Sequence, residues 1–405
     1  MTSAGPAPRI PHGWLGVGSR PPRRRGDPKG PDEGPDGDHT AMPARDYIRY
    51  SDDIEVLPAG EDEAIAGIIA AMTHESRKVA AREGHTVRAS HAKASAFLKG
   101  ELRVLDGLAP ELRQGLFAEP RTFPVAVRMA QGPGEHLPDS VSTHRGLAFK
   151  VLDAAGPKID GHAEDTQDFV LATGPVFPNP DAAAFLRAMK GIEATAGGRE
   201  TLKGVVSNAA RQLDKVVLAV KGDHSPLLDF FGHTPRHPLT DTYYSQAALR
   251  YGDYVAKICL VPVSPGQDAL GDGPMDTSGR PDAFRDATVA YFGEAGAEFE
   301  LRVQLCTDLA SMPVEDASVR WPEDESPYQA VARLVLPRQD ALGEARRAFM
   351  TERMSFRPAH SLAAHRPLGS LMRARLKTYP ALAAHRRNQN GAEAAEPTSL
   401  DQIPD

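Results

Sequence analysis

Between Ala297 and Cys306 the chain alternates without a break: Phe299, Leu301, Val303 and Leu305 are apolar, and Glu300, Arg302 and Gln304 between them are polar. A period of two marks a strand with one face buried and the other wet or turned to a pocket. Runs of the same character recur at 124–129, 146–152, 168–176, 254–263 and 329–336. Helical patterns interrupt them at 61–83, at 181–194 and 200–220 with Gly197-Gly198 between, and at 340–353. The stretch 265–279 is rich in Gly, Pro and Asp and reads as loop, and 356–367 is irregular. Strands enclosing a block of helices predict an α+β chain built on an antiparallel β-barrel with helical insertions and a C-terminal helix. There is no internal repeat.

Of the 405 residues, 41% are hydrophobic and 25% charged, enough for one large domain, read here as 45–387. Residues 1–44 differ in composition. Arg20 to Pro28 runs into Gly- and Asp-rich sequence with few core-forming side chains, so a disordered extension is expected, and Met42 is a plausible alternative start. Residues 388–405 are polar and Ala/Glu-rich and read as a tail. The net charge of -7 argues against nucleic acid as a partner. No apolar run reaches the roughly 20 residues that cross a bilayer. Cys259 and Cys306 each lie in an apolar strand-like run, which predicts buried free thiols and a reducing, cytoplasmic setting.

Two short stretches carry chemistry. After Pro367, residues Leu368, Leu371, Met372, Arg375 and Tyr379 recur at steps of three and four, so a helix sets Arg375 and Tyr379 one turn apart on one face. A phenol is protonated and a poor ligand at neutral pH. A permanent cation beside it, together with a ferric ion, favours the phenolate. Far upstream, His91 stands in Arg88-Ala89-Ser90-His91-Ala92-Lys93. A histidine can take a proton from one oxygen and return it to another near pH 7. Taken singly, the first stretch fits a surface tyrosine better, and the second a structural histidine.

Together and in order, the segments resemble the catalase superfamily from about Arg88 to Arg387. The matching pieces are Arg88 to Lys93, Pro124 to Arg128, Asp139 to Lys150 with Arg145-Gly146-Leu147-Ala148-Phe149-Lys150, Asp168 to Phe185 with Gly174-Pro175-Val176-Phe177, Trp321-Pro322, Phe356-Arg357-Pro358, and Arg375 to Arg386. The resemblance implies a catalase-type barrel with a C-terminal haem-ligand helix, a haem b cofactor with Tyr379 as iron ligand, and His91 as distal catalytic residue. It further implies Arg375 as partner of Tyr379, Arg88, Arg128 and Arg386 as contacts of the haem carboxylates, and Phe185 packed against the haem. The chain is shorter than typical catalases and is closer in character to the small catalase-related haem peroxidases.

Two departures stand out. The distal Asn of the family falls on Ala172, with Thr173 next to it, and the Ser that orients the catalytic His falls on Ala130, with Gln131 next to it. Loss of such polar groups weakens oxygen-evolving turnover most. The implied function is therefore reduction of hydrogen peroxide or an organic hydroperoxide by a small organic donor, through a ferryl intermediate, in a homo-oligomer. The alternatives are a catalase proper, a fatty-acid hydroperoxide dehydratase or isomerase, and a haem-binding protein without turnover. Other candidates are weaker. His360, His365 and His385 have no Cys or carboxylate at ligand spacing, Gly161 to Asp165 reads as a solvated turn, and no Gly-rich loop follows a strand in the manner of a nucleotide site.

Overall fold

Apolar alternation does what it predicts: Phe299, Leu301, Val303 and Leu305 are fully buried together inside a closed antiparallel barrel. In the computed structural model, which describes residues 46–195 and 226–405, the strands are β1 (Ala94–Val104), β2 (Thr122–Gln131), β3 (Arg145–Leu152), β4 (Thr166–Thr173), β5 (Tyr243–Tyr244), β6 (Leu249–Tyr251), β7 (Tyr254–Pro262), β8 (Ala297–Leu305) and β9 (Gln329–Leu336). They pair in the order β5-β4-β3-β2-β1-β9-β8-β7-β6, and β5 also pairs with β7, so eight strands close on themselves with β6 as an extra ribbon on β7. Closure leaves no long open edge between them. The interior is filled by Val125, Val127, Met129, Leu147, Phe149, Leu171, Ile258 and their neighbours.

Outside the barrel lie α1 (Glu61–Glu83), α2 (Ala182–Thr195), the short α3 (Pro226–Gly232), α4 (Ala283–Glu294) and α5 (Ser370–Asn390). Helices α1, α2 and α5 pack through Ile65, Ile68, Ala182, Phe185, Leu186 and Ala374. Gly67 allows the close approach of α1 to α2, since a Cβ there would come 2.6 Å from Leu186 Cδ2. The described residues belong to one compact unit. None of their helices is long and apolar enough to cross a membrane. Cys259 and Cys306 are buried free thiols, and burial pushes both up to about 12.

Several expectations need correction. The helix expected at 340–353 is only Glu344–Ala348, followed by a π-helical turn, Phe349–Arg353. The loop at 265–279 holds a one-turn helix, Pro265–Asp268, closed by a Ser264/Gln267 capping box. Strand β1 is invisible to an alternation search because its first half is buried on both faces, with Leu98 inside and Phe97 beneath a second apolar cluster. The segment 388–405 is not a free tail. Helix α5 continues to Asn390, whose Nδ2 donates to Thr86 O at 2.9 Å. Glu396 lies 3.4 Å from Arg357 and 3.7 Å from Lys150, and Ile403 is buried beside Met350 and Met354. One apolar anchor and a buried charge suffice to dock a segment that composition marks as polar. The expectations for residues 1–44 and for a helix at 200–220 lie outside the described residues.

Candidate active site

The outer face of β2, β3 and β4 carries a row of very small side chains. Ala94 faces Ala130, Ala130 faces Gly146, and Gly146 faces Ala172 across four strands. Arg128, Ala148 and Val170 form the next row. Above these rows a cavity of about 230 Å³ opens toward α1, α2 and α5. A single water needs on the order of 10–15 Å³ measured this way, so the space suits a ring system rather than a few waters. Arg88, His91, Arg128, Phe185, Arg375, Tyr379 and Arg386 all line it. The two alanines singled out in the sequence flank Gly146 in the same row.

His91 reaches this floor from the loop before β1. Its backbone is left-handed, with φ of 52°, a conformation uncommon outside glycine and stored at functional sites when the surroundings enforce it. Here the surroundings do. His91 N donates to Gly132 O at 2.9 Å, Ala92 N donates to Pro133 O at 2.9 Å, and Arg128 Nη2 donates to His91 O at 2.6 Å. The ring lies against Gly146, where a Cβ would sit 2.6 Å from His91 Cε1. Burial, then His144, Arg128 and Arg375, hold His91 well below the usual histidine value, so it is neutral at pH 7.

Helix α5 supplies the other wall. Its first amides are met by carboxylates, Gly369 N donating to Glu55 at 2.8 Å and Ser370 N to Glu315 at 2.9 Å. Arg373, one turn in, is gripped by Glu55 at 2.6 Å, Glu61 at 2.7 Å and Glu315 at 2.8 Å. Burial alone would lower its pKa, but these bonds outweigh burial and raise it. The clamp fixes the helix from outside, and Arg375 and Tyr379 follow on the cavity side. Arg375 lies over Phe177, 5.7 Å from the ring centre, and Phe177 meets Phe185 edge-on at 5.2 Å. Tyr379 is half-buried and is followed by Pro380, whose missing N–H leaves the Leu376 carbonyl without its usual helical donor.

Three buried guanidiniums complete the lining. Arg88 donates to Met350 O at 2.6 Å and Met354 O at 3.1 Å, and Arg386 to Glu352 O at 3.5 Å. The Nε atoms of Arg88, Arg128 and Arg386 are buried without a hydrogen-bond partner among the described residues. Burial, then the charge of Arg386, lowers Arg128 to about 9, and burial lowers Arg386 to about 10. Arg88 is lowered well below the ordinary value by burial and by both neighbours, against the weaker opposing pull of Glu396 and Glu352. Guanidiniums stay charged at neutral pH, and buried donors left without a partner are costly. The cluster therefore fits a ligand that brings carboxylates. A flat dicarboxylate such as haem, with a phenol one helical turn from a guanidinium to hold its iron, matches this donor set.

Three solved structures share the architecture: a fungal catalase, with TM-score 0.55 and 18% identity over 76% of this chain; catalase A from Saccharomyces cerevisiae, 0.53 and 15% over 84%; and a bacterial catalase, 0.54 and 16% over 83%. The chain has the catalase fold. It spans 61%, 67% and 64% of the lengths of those catalases. No protein-family model and no curated protein matches its sequence. Sequence reasoning passed over two residues of this catalase-fold cavity. Arg357 lines it with an unpartnered Nε, although its Phe-Arg-Pro context had been noted, and His144 lines it one residue before Arg145. His360 and His365 lie elsewhere: His360 Nδ1 is 3.0 Å from Asp168 and 2.8 Å from Lys150 in a buried charge cluster, and His365 Nε2 accepts from Leu116 N at 2.9 Å.

Proposed function

We propose that this protein is a haem b oxidoreductase that reduces hydrogen peroxide or an organic hydroperoxide with a small organic donor. The observation that carries the reading is the meeting, in one cavity, of a neutral histidine, a tyrosine one turn from an arginine, and three guanidiniums whose buried Nε atoms have no hydrogen-bond partner among the described residues. Tyr379 would hold the iron, with Arg375 favouring its phenolate, and Arg88, Arg128 and Arg386 would take the haem carboxylates. Haem, when bound, supplies the redox chemistry that side chains lack. His91 takes the proton of the incoming hydroperoxide on its unprotonated ring nitrogen and returns it to the departing oxygen. Overall ROOH and a donor DH2 give ROH, water and D.

Donor oxidation is favoured over oxygen evolution because Ala130 and Ala172, the row-mates of Gly146 beneath His91, offer methyls where a second hydrogen peroxide would need hydrogen bonds. An oxygen-electrode trace beside a dye-oxidation assay of haem-loaded protein tests this. The expected result is dye oxidation outpacing oxygen release, with Ala172→Asn, alone or with Ala130→Ser, raising oxygen release. Vigorous oxygen evolution by the natural protein would make it a catalase, and failure to bind haem would end the reading.

A further inference from the structure

Among the described residues that line this cavity, His144 is the one titratable side chain beside His91 that is not a fixed cation or the phenol of Tyr379. It stands at the mouth of β3, stacked on Phe230 with ring centres 3.8 Å apart and planes at 16°, and it meets His91 edge to face at 5.5 Å and 89°. Both rings occupy space left by glycine: a methyl at Gly132 would overlap the His144 ring, as one at Gly146 would crowd His91. The main chain is pinned on both sides. His144 N donates to Phe230 O at 3.1 Å and Gly132 N to His144 O at 2.9 Å. Next in sequence, Arg145 N donates to Thr173 Oγ1 at 3.0 Å, and the buried Arg145 guanidinium pairs with Asp241 at 2.7 Å. His144 Nδ1 lies 3.2 Å from Phe230 O. A carbonyl only accepts, so this nitrogen carries the hydrogen and the tautomer is set.

His91 needs such a neighbour. Its Nδ1 is buried without a hydrogen-bond partner among the described residues, and the methyl side chains of Ala130 and Ala172 in the row beneath it can give none. We propose that His144 is the positioning residue of His91: its fixed imidazole limits the rotation of the His91 ring and sets the polarity around it, in place of the side chains that Ala130 and Ala172 lack. The proposal rests on the reading of His91 as the group that moves the peroxide proton. The charged and titratable groups facing His91 are His144 at β3, Arg128 on β2, Arg375 on α5 and Arg88 on its own segment. The three arginines are fixed cations, so only His144 can be exchanged for a neutral ring without disturbing the carboxylate-binding lining.

The test begins with the apoprotein, labelled with ¹³C-histidine and titrated by NMR, the His91 signal being identified by its loss in His91→Asn. In His144→Phe, which keeps a ring on Phe230, the His91 midpoint is expected to rise by about half a unit or more, because the imidazole that holds it down has gone. In haem-loaded protein the acid limb of the peroxide reaction should move up by the same amount at unchanged haem content. His144→Gln, less bulky against Gly132, is expected to shift both in the same direction. Midpoint and acid limb unchanged in both variants overturn the proposal. A midpoint shift in an apoprotein that never takes up haem would instead overturn the functional reading while leaving the coupling of the two histidines in place.

Discussion

The two walls of the cavity are built by different means. The α5 wall presents Arg375 and Tyr379 from a continuous helix, steadied from outside by the grip of three carboxylates on Arg373. The His91 wall is assembled from a left-handed loop residue, the ends of β2 and β3, and two glycines that make room for two imidazoles. On the first wall, Arg375 and Tyr379 are neighbours in sequence as well as in space, and only the grip on Arg373 is long-range. On the second, His91 is set by Gly132, Gly146 and His144, about 40 to 55 positions away. A local device tolerates change around it. One made of long-range contacts fails when any contributor moves.

The largest effect expected from breaking this comparison is on the helix wall. Tyr379→Phe should abolish the tyrosinate-type visible spectrum of the haem-loaded protein, and Arg375→Ala should weaken it by letting the phenol regain its proton. An unchanged spectrum in Tyr379→Phe would remove the iron-ligand assignment. On the opposite wall, His91→Ala should slow the reaction with peroxide by at least ~10²-fold while leaving the spectrum intact, which stopped-flow absorbance would read. The pH dependence follows from the same residue. A base must be unprotonated to act, and burial with its cationic neighbours holds His91 well below 6.5. The rate should therefore stay level on acidification through pH 6.5 and fall only as the pH passes through the lowered value. A midpoint at or above 6.5 would mean that His91 is not the titrating base.

The smallest effect concerns stability. Arg373→Met removes the cation from three carboxylates whose side chains are 7% to 27% exposed, and breaking a buried charge cluster in this way costs about 3 kcal/mol. Denaturant unfolding should register that loss, with the His91 wall unaffected in the NMR titration of the apoprotein. If the His91 signal also moved, the two walls would not be independent.

Much of the fold could be read in advance, because alternation in β8 and the three-and-four spacing of α5 are properties of consecutive residues. Strand β1 escaped because burial on both faces erases alternation. The C-terminal segment escaped because Glu396 and Ile403 find partners, Arg357 and Met350 among them, that no local composition shows. The site divides in the same way. Arg375 and Tyr379 follow from helical spacing, and the other named residues came from the order of motifs rather than from periodicity. By itself the sequence determined the apolar face of the alternating strands and the shared face of Arg375 and Tyr379, since side-chain direction repeats every two residues in a strand and about every 3.6 in a helix. Only the tertiary structure decided that Ala130, Gly146 and Ala172 form one row, that three guanidiniums with unpartnered Nε atoms converge on one cavity, and that His144 faces His91. Cross-strand register and chain crossings set these contacts, and they depend on closing the barrel, not on any local run of residues.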